Sequence, residues 1–406
     1  MIPVHEAIRI VETQTSRLPA EAVALVEARG RVLAEDVVAD TDLPPFDRAQ
    51  MDGYALRAAD TEGARAGAPV RLALVGEAAA GAGWRGELQA GEAVRIMTGA
   101  PVPAGADSVQ QVEVTRETKD GALVEIERAT TPSQFITKRA TEITRGEIVL
   151  RAGETINAAM MAALASFGYA QVQVCARPRV SVLATGTELV DVGQQPGPDQ
   201  IRDSNTYSLL AYAEAAGARA GHLPFAGDDA ALLQRLIAES AQRADVLVLS
   251  GGVSMGVYDF TKTALRALGA EIFFERVALR PGKPTVFARL GRTLVFGLPG
   301  NPVSVSVTFN LFARTSIRAM QGARAAALQE EQAVLGRAVR GAHERTSYLP
   351  AELRTDAAGR LIAEPLRWGG SSDFVAFTRA DALLIIEADA GTVEAETIVR
   401  VVRLPA

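Results

Sequence analysis

Cysteine is nearly missing from this sequence. Cys175 is the only thiol in 406 residues, which excludes an intrachain disulfide and any cysteine-based metal site. Histidine is almost as scarce: His5, His222 and His343 stand in unrelated contexts, so chemistry built on a histidine cluster is not expected. No stretch approaches the roughly 18 consecutive apolar residues of a membrane span. The N-terminal MIPVHEAIRIVETQ also lacks the apolar core of a signal peptide. A cytoplasmic protein that engages no membrane is the expectation. A basic excess is absent too. With 42 Lys and Arg against 48 Asp and Glu, the net charge is −6, which argues against a nucleic-acid binder. Between Arg179 and Met320 neither P-loop spacing nor GxGxxG occurs, so ordinary NTPases and Rossmann dehydrogenases lose support.

What is present is a globular composition, 48% apolar and 22% charged, in a chain long enough for roughly two to four domains. Residues 3 to 16 read as a short amphipathic helix, with Val4, Ile8 and Val11 at helical spacing. From about Asp47 to Arg145, short apolar runs broken by Gly and Pro (RLALVGEAAAG, EAVRIMTG, DSVQQVEVT, ALVEIER) read as a small β-rich domain. A helix fits NAAMMAALASFG, closed by Gly168. From Arg179 to about Met320, the apolar runs RVSVLATG, ADVLVLSGG and GAEIFFERVAL alternate with helical stretches. That rhythm predicts a parallel sheet with helices on both faces. Helix starts are marked by Asp203-Ser204, Gly227-Asp228 and Asn301-Pro302. The last 80 or so residues return to short strands and predict a small all-β domain.

In such a sheet, ligands bind beyond the carboxyl ends of the strands. Three loops fall there: ATGTELV, SGGVSMGVYDFTK and LPGNPVSVSV. Each leaves its strand through glycine, which lets backbone approach a ligand, and each leads toward helical N–H groups able to meet an anion. An exposed helix terminus contributes only about 0.3–1 kcal/mol to anion binding, so cations are needed as well, and RPGKP supplies Arg280 and Lys283. Glu188, Asp228 and Asp259 also fall at or just past strand ends. Acids gathered near an anion site call for a hard cation such as Mg²⁺ between them; taken alone, Asp228 reads better as a helix cap. Gly252-Val253-Ser254-Met255-Gly256 matches GxSxG and raises a serine-hydrolase reading with His343. The HGGG-type oxyanion stretch is missing, however, and His343 lies in the β tail.

PPFDRAQMDGYALRAAD, from Pro44 to Asp60, fits no helix or strand template at its proline end. Together with VRIMTGAPVPAGADSV, TGTELV, SGGVSMGVYDFTK, RPGKPTVFA and GLPGNPVSVSVTF, it resembles the MoeA family of molybdopterin molybdenumtransferases, related to the gephyrin E domain. The motifs run in the family's order and the likeness covers essentially the whole chain. The resemblance implies insertion of molybdate into adenylated molybdopterin (molybdopterin-AMP), with release of AMP and molybdenum cofactor, aided by Mg²⁺ or a similar ion.

It further implies an elongated subunit with a doubly wound, MogA-like α/β domain, an inserted β-rich domain and a C-terminal β-barrel-like domain. The expected bounds are 1–45 with 146–178 for a helical linker domain, 46–145, 179–325 and 326–406. Homodimers with the site between subunits are implied, and as further partners the molybdopterin adenylyltransferase and the enzymes that accept the cofactor.

Carried over by motif, the catalytic set is Asp52, Thr98, Glu188, Asp228 and Asp259, with Glu188 and Asp259 as metal ligands. Gly186, Gly251, Gly252, Ser254, Gly256, Arg280, Lys283, Pro299, Asn301 and Pro302 would meet substrate. Pro44-Pro45 is read as a hinge, Gly53 as a tight bend packed by Met51 and Tyr54, and Asp52 as reaching a neighbouring subunit's pocket. Where the family has a segment like R-x-x-G-E-D, this chain reads Lys138-Arg139-Ala140-Thr141-Glu142, so the glycine is lost and the acid lengthened. Lys138 and Arg139 are expected contacts there. A chain that only binds and carries the pterin is the competing reading; the complete carboxylate set argues against it.

Overall fold

The computed structural model describes residues 1–227, 229–252 and 260–405. They form two compact units: Asp36–Arg151 with Ala162–Ala170, and Met1–Glu35 with Ala152–Met161 and Gln171–Ala406. Helix α1 (Val4–Gln14) opens the larger unit and buries Val4, Ala7 and Val11, its one apolar stripe.

The smaller unit is built on a six-stranded sheet. Its strands are β1 (Gly53–Leu56), β2 (Val70–Ala78), β3 (Glu92–Ile96), β4 (Ser108–Gln111), β5 (Thr115–Glu117) and β6 (Leu123–Ile126), in the order β4-β1-β3-β2-β6-β5. Side chains alternate between two cores. Ala55, Val94, Ile96 and Val109 enter one, and Tyr54, Leu56, Leu72 and Ile126 the other. Gly53 is not the tight bend expected of it. It lies inside β1, paired with Ile96 and Gln111, and a Cβ there would sit 1.9 Å from the Gln110 carbonyl oxygen. The glycine is needed for close strand approach. Met51, expected to pack the turn, is 39% exposed, whereas Tyr54 is buried as anticipated. Helix α2 (Ala158–Ser166) follows the sheet, and Gly168 beyond it takes φ +76°.

In the larger unit the chain runs β7 (Arg179–Ala184), α3 (Asn205–Ala215), β8 (Arg219–His222), α4 (Ala230–Ala241), β9 (Val246–Ser250), α5 (Phe260–Ala267), β10 (Glu271–Phe274), β11 (Val286–Leu290) and β12 (Thr293–Leu298). Then α6 (Pro302–Thr308) passes through a π-helical turn, Phe309–Ala313, into α7 (Arg314–Met320). The sheet order is β8-β7-β9-β12-β11-β10. Helices cover both faces: Val246 and Val248 of β9 meet the core shared with α1, α3, α6 and α7, while Leu247 and Leu249 meet that of α4 and α5. This is the doubly wound arrangement read from the sequence.

Two details differ from the expectation. The sheet is not wholly parallel: β8, β7, β9 and β12 are, but β11 pairs antiparallel with both β12 and β10. Only Gly291 and Arg292 join β11 to β12, and so short a link allows only a hairpin. GAEIFFERVAL is also not one strand. Glu271–Phe274 ends early, and Leu279–Arg280 pairs instead with Thr346–Ser347 of the C-terminal sheet.

That sheet comprises β13 (Glu330–Leu335), β14 (Thr346–Thr355), β15 (Leu361–Pro365), β16 (Ala382–Ile386) and β17 (Ile398–Arg403), with the short α8 (Phe374–Phe377) before β16. The order β14-β15-β13-β17-β16, with β16 pairing back onto β14, closes a five-stranded barrel. Alternate residues divide its contacts: Leu384 and Ile386 fill the barrel, while Leu383 and Ile385 pack onto the α/β core. The barrel is thereby held against the sheet domain. No helix among the described residues is long and apolar enough to cross a membrane.

Candidate active site

Because β7, β9 and β12 are parallel neighbours in register, their carboxyl-terminal residues Ala184, Ser250 and Leu298 lie side by side. The loops leaving them line one pocket of about 1580 Å³, larger than the ~300–1,000 Å³ of ordinary small-molecule sites. Gly186, Glu188, Gly251, Gly252, Arg280, Lys283, Pro299, Asn301 and Pro302, singled out in the sequence, all line it.

The glycines there have specific tasks. Gly251 has φ +91°, and a Cβ on it would lie 2.6 Å from the Thr185 carbonyl oxygen. Gly252 has φ +65°, with Thr261 Oγ1 2.7 Å from the same position. Any side chain would force the loops after β7 and β9 apart. Gly186, at φ +142°, has the Glu188 carboxylate 2.5 Å from where its Cβ would be. It clears space for that carboxylate to fold back over the loop. Pro302 starts α6 at its first turn, where the missing N–H costs no hydrogen bond.

Charge in the pocket is of both signs. Arg280 and Lys283 flank Pro281–Gly282. Arg345 joins them from the barrel and Arg202 from the segment before α3. Glu188 and Asp203 are the described carboxylates on the wall. Asp203 is only 3% exposed; its Oδ1 accepts the Thr206 amide at 3.1 Å, and its Oδ2 has no hydrogen-bond partner among the described residues. Asn205 Nδ2 donates to Ser250 Oγ at 3.0 Å and to the Gly300 carbonyl at 2.7 Å. Asn301, expected on substrate, donates its Nδ2 to Ser371 Oγ at 2.7 Å. The wall therefore extends into the barrel, through Trp368, Ser371 and Phe374.

Sequence reasoning missed Asp203 as a wall residue, Asn205, Arg202, Arg345 and the 368–374 segment. Asp203 was visible only as a helix start, and the barrel residues carry no local signal, since their role depends on how the barrel packs. Two helix starts need adjustment. Asp229 caps α4, accepting from the Ala231 and Leu232 amides at 2.9 Å, and Ser204 makes no capping bond with its side chain. Asp228, Ser254, Gly256 and Asp259 lie outside the described residues. Among the described residues, no group of three or more His, Cys, Asp or Glu stands ready to hold a metal.

Asp52, Thr98, Lys138 and Arg139 belong to the smaller unit. Asp52 Oδ1 accepts both the Thr98 hydroxyl and the Thr98 amide at 2.7 Å. These two bonds, the hydroxyl first, hold the Asp52 carboxyl below its usual range. Lys138 Nζ is paired with Asp47 at 2.8 Å, and Arg139 Nε with Asp42. Glu142 meets Arg48 at 3.2 Å. Ala140, in place of the family's glycine, has φ +60°. His343 is bonded to Asp389 at the barrel surface and does not line the pocket.

A doubly wound sheet with glycine-turned, cation-lined loops at its strand ends defines an α/β domain that binds anionic ligands there. Residues 181–319 match the family described as a probable molybdopterin binding domain. Residues 2–168 match the MoeA N-terminal region (domain I and II), and 332–404 the MoeA C-terminal region (domain IV). The chain belongs to the MoeA family. It is 34% identical over 385 residues to the molybdopterin molybdenumtransferase of Staphylococcus aureus (strain MSSA476), covering 95% of this chain and 91% of that one. With the same-named protein of Bacillus subtilis (strain 168), identity is 36% over 387 residues, covering 95% and 90%. The fold is similar to that of the crystal structure of a molybdopterin biosynthesis MoeA protein from Pyrococcus horikosii, at 31% identity and TM-score 0.83 over 99% of both chains.

Proposed function

We propose that the protein works in molybdenum cofactor biosynthesis as a molybdenumtransferase, inserting molybdate into adenylated molybdopterin with release of AMP. The observation that carries this reading is the pocket itself: Arg280, Lys283 and Arg345 face the same space as Glu188 at parallel strand ends. A nucleotide-linked pterin and an oxyanion need room for two large groups and several cations, and this pocket offers both. In the reaction, water or a molybdate oxygen attacks the phosphoanhydride linking pterin phosphate to AMP, and AMP leaves with the bridging oxygen. Arg280 and Lys283 offset the charge that develops on the phosphates. Thr98 keeps Asp52 ionised, so that it can accept a proton but has none to give.

The donor set suits a hard divalent ion. Glu188 is a carboxylate on the pocket wall, and Mg²⁺ needs only one or two carboxylates plus substrate phosphates. Glu188, with Asp259, would hold it, and it would supply charge neutralisation at the phosphates.

We place Asp52 in the pocket of a second copy of the chain, in a homodimer, and the protein in the cytoplasm. Two exposed apolar groups flank Asp52: its chain neighbour Met51 and Val112 are 39% and 43% exposed, and the Val112 amide donates to the Asp52 carbonyl at 3.0 Å. An exposed acid beside apolar groups suits docking against a cation-lined pocket. The adenylyltransferase that makes the substrate and the enzymes that accept the cofactor are the further partners of this reading. Adding molybdate to enzyme loaded with adenylated molybdopterin should release stoichiometric AMP. Retention of the adenylated pterin with no AMP released would make the chain a carrier.

A further inference from the structure

Three loops and a barrel segment form the pocket wall, yet among the described residues no strand ladder continues beyond Ser250 and Leu298 to hold them together. The Gly251 amide joins the ends of β9 and β12 by one bond to the Leu298 carbonyl, at 3.1 Å. Beyond it the link is a side chain. Asn205, first residue of α3, spends both N–H groups of its amide on the other two loops, one on Ser250 Oγ and one on the Gly300 carbonyl. Its orientation is forced, because a reversed amide would set Oδ1 against the Gly300 oxygen. Neither aspartate nor an apolar side chain can make both bonds. From Gly300 the connection runs on through the next residue, Asn301, to Ser371 of the barrel, and the Val303 amide adds a bond to the Ser371 carbonyl at 3.0 Å.

We propose that Asn205 is a positioning residue for the transfer reaction: it sets the spacing between residues 250–252 at the end of β9 and 299–301 after β12, and so the shape of the pocket wall that aligns the substrate. The inference rests on reading the pocket as the transfer site. Asn205 touches no reacting atom in this scheme; its Oδ1 is buried and has no partner among the described residues. Its effect falls on kcat, because misplacing reacting groups by about 1 Å can cost on the order of 100-fold.

The test is AMP release by the full-length protein, with KM for adenylated molybdopterin and kcat measured separately and melting followed by circular dichroism. Asn205→Asp should lower kcat by about 100-fold with KM within threefold. Ser250→Ala, which removes one acceptor from a buried site at little change in volume, should lower kcat by about tenfold, the scale of one hydrogen bond. The double variant should be no slower than Asn205→Asp alone, since both changes break one connection. If Asn205→Asp melts too low to assay, Ser250→Ala alone carries the test. Wild-type kcat in Ser250→Ala, or losses that multiply in the double variant, would overturn the proposal while leaving the functional reading intact. A wild-type protein that releases no AMP would overturn both.

Discussion

Ala140 shows how one residue can carry a cost that its neighbours impose. Its amide is held by the Pro44 carbonyl at 3.0 Å, and the next residue folds back on the Lys138 carbonyl, which fixes φ at +60°. An L-residue in that region costs about 1–2 kcal/mol, which glycine avoids. Ala140→Gly should therefore raise the urea midpoint by the equivalent of about 1 kcal/mol, after part of the gain is lost to glycine's freer unfolded chain. An unchanged midpoint would mean that the turn relaxes around alanine. The missing glycine was legible in the sequence, but its price in backbone geometry was not. The reverse holds at Gly53, where a glycine was noticed and given the wrong task, because a strand neighbour 57 positions along the chain sets its constraint.

Thr98 and Asp52 make a second case at this scale. Both Thr98 bonds favour the carboxylate, so Asp52's folded pKa lies below its unfolded one. The bonds are at full strength above the unfolded value and fade as pH falls through the depressed folded value. Thr98→Val removes the hydroxyl bond and keeps the amide one. The Asp52 titration, followed by carboxyl carbon NMR, should move upward toward the usual carboxylate range. A titration that stays in place would show that the amide alone sets the depression.

At the scale of elements, periodicity was informative and boundaries were less so. β9 reads as an unbroken apolar run because both of its faces are covered, and every one of its residues is buried. The strands of the smaller sheet and of the barrel were legible as short apolar runs, in the smaller sheet broken by Gly and Pro. The antiparallel course of β11 was not, because the alternation of strands and helices concealed the two-residue connection from β11 to β12. Asp228 and Asp229 could not be separated as caps by sequence, since either offers a carboxylate one or two residues before the helix. Asp229 makes the two bonds, so Asp229→Ala should destabilise the protein by about 1 kcal/mol, read as a lowered thermal midpoint. A midpoint equal to wild type would mean that another group replaces the cap.

For the whole molecule, the site is a composite that no local stretch announces. The glycine loops, Arg280 and Lys283 were found because their motifs are contiguous. Arg345 and Ser371 arrive from a barrel folded from the last quarter of the chain, placed by Leu383 and Ile385 against the α/β core. Asp52 sits in the smaller unit, and its proposed target is a pocket in a second copy. Co-expression of Asp52→Asn and Glu188→Gln chains tests that arrangement directly, read as molybdate-dependent AMP release. Each variant alone should be inactive. Random pairing makes about half of the dimers mixed, each with one of its two sites intact, so about one site in four overall keeps both residues and close to a quarter of wild-type activity should return. Co-expressed chains no more active than either parent would contradict a site shared between two copies.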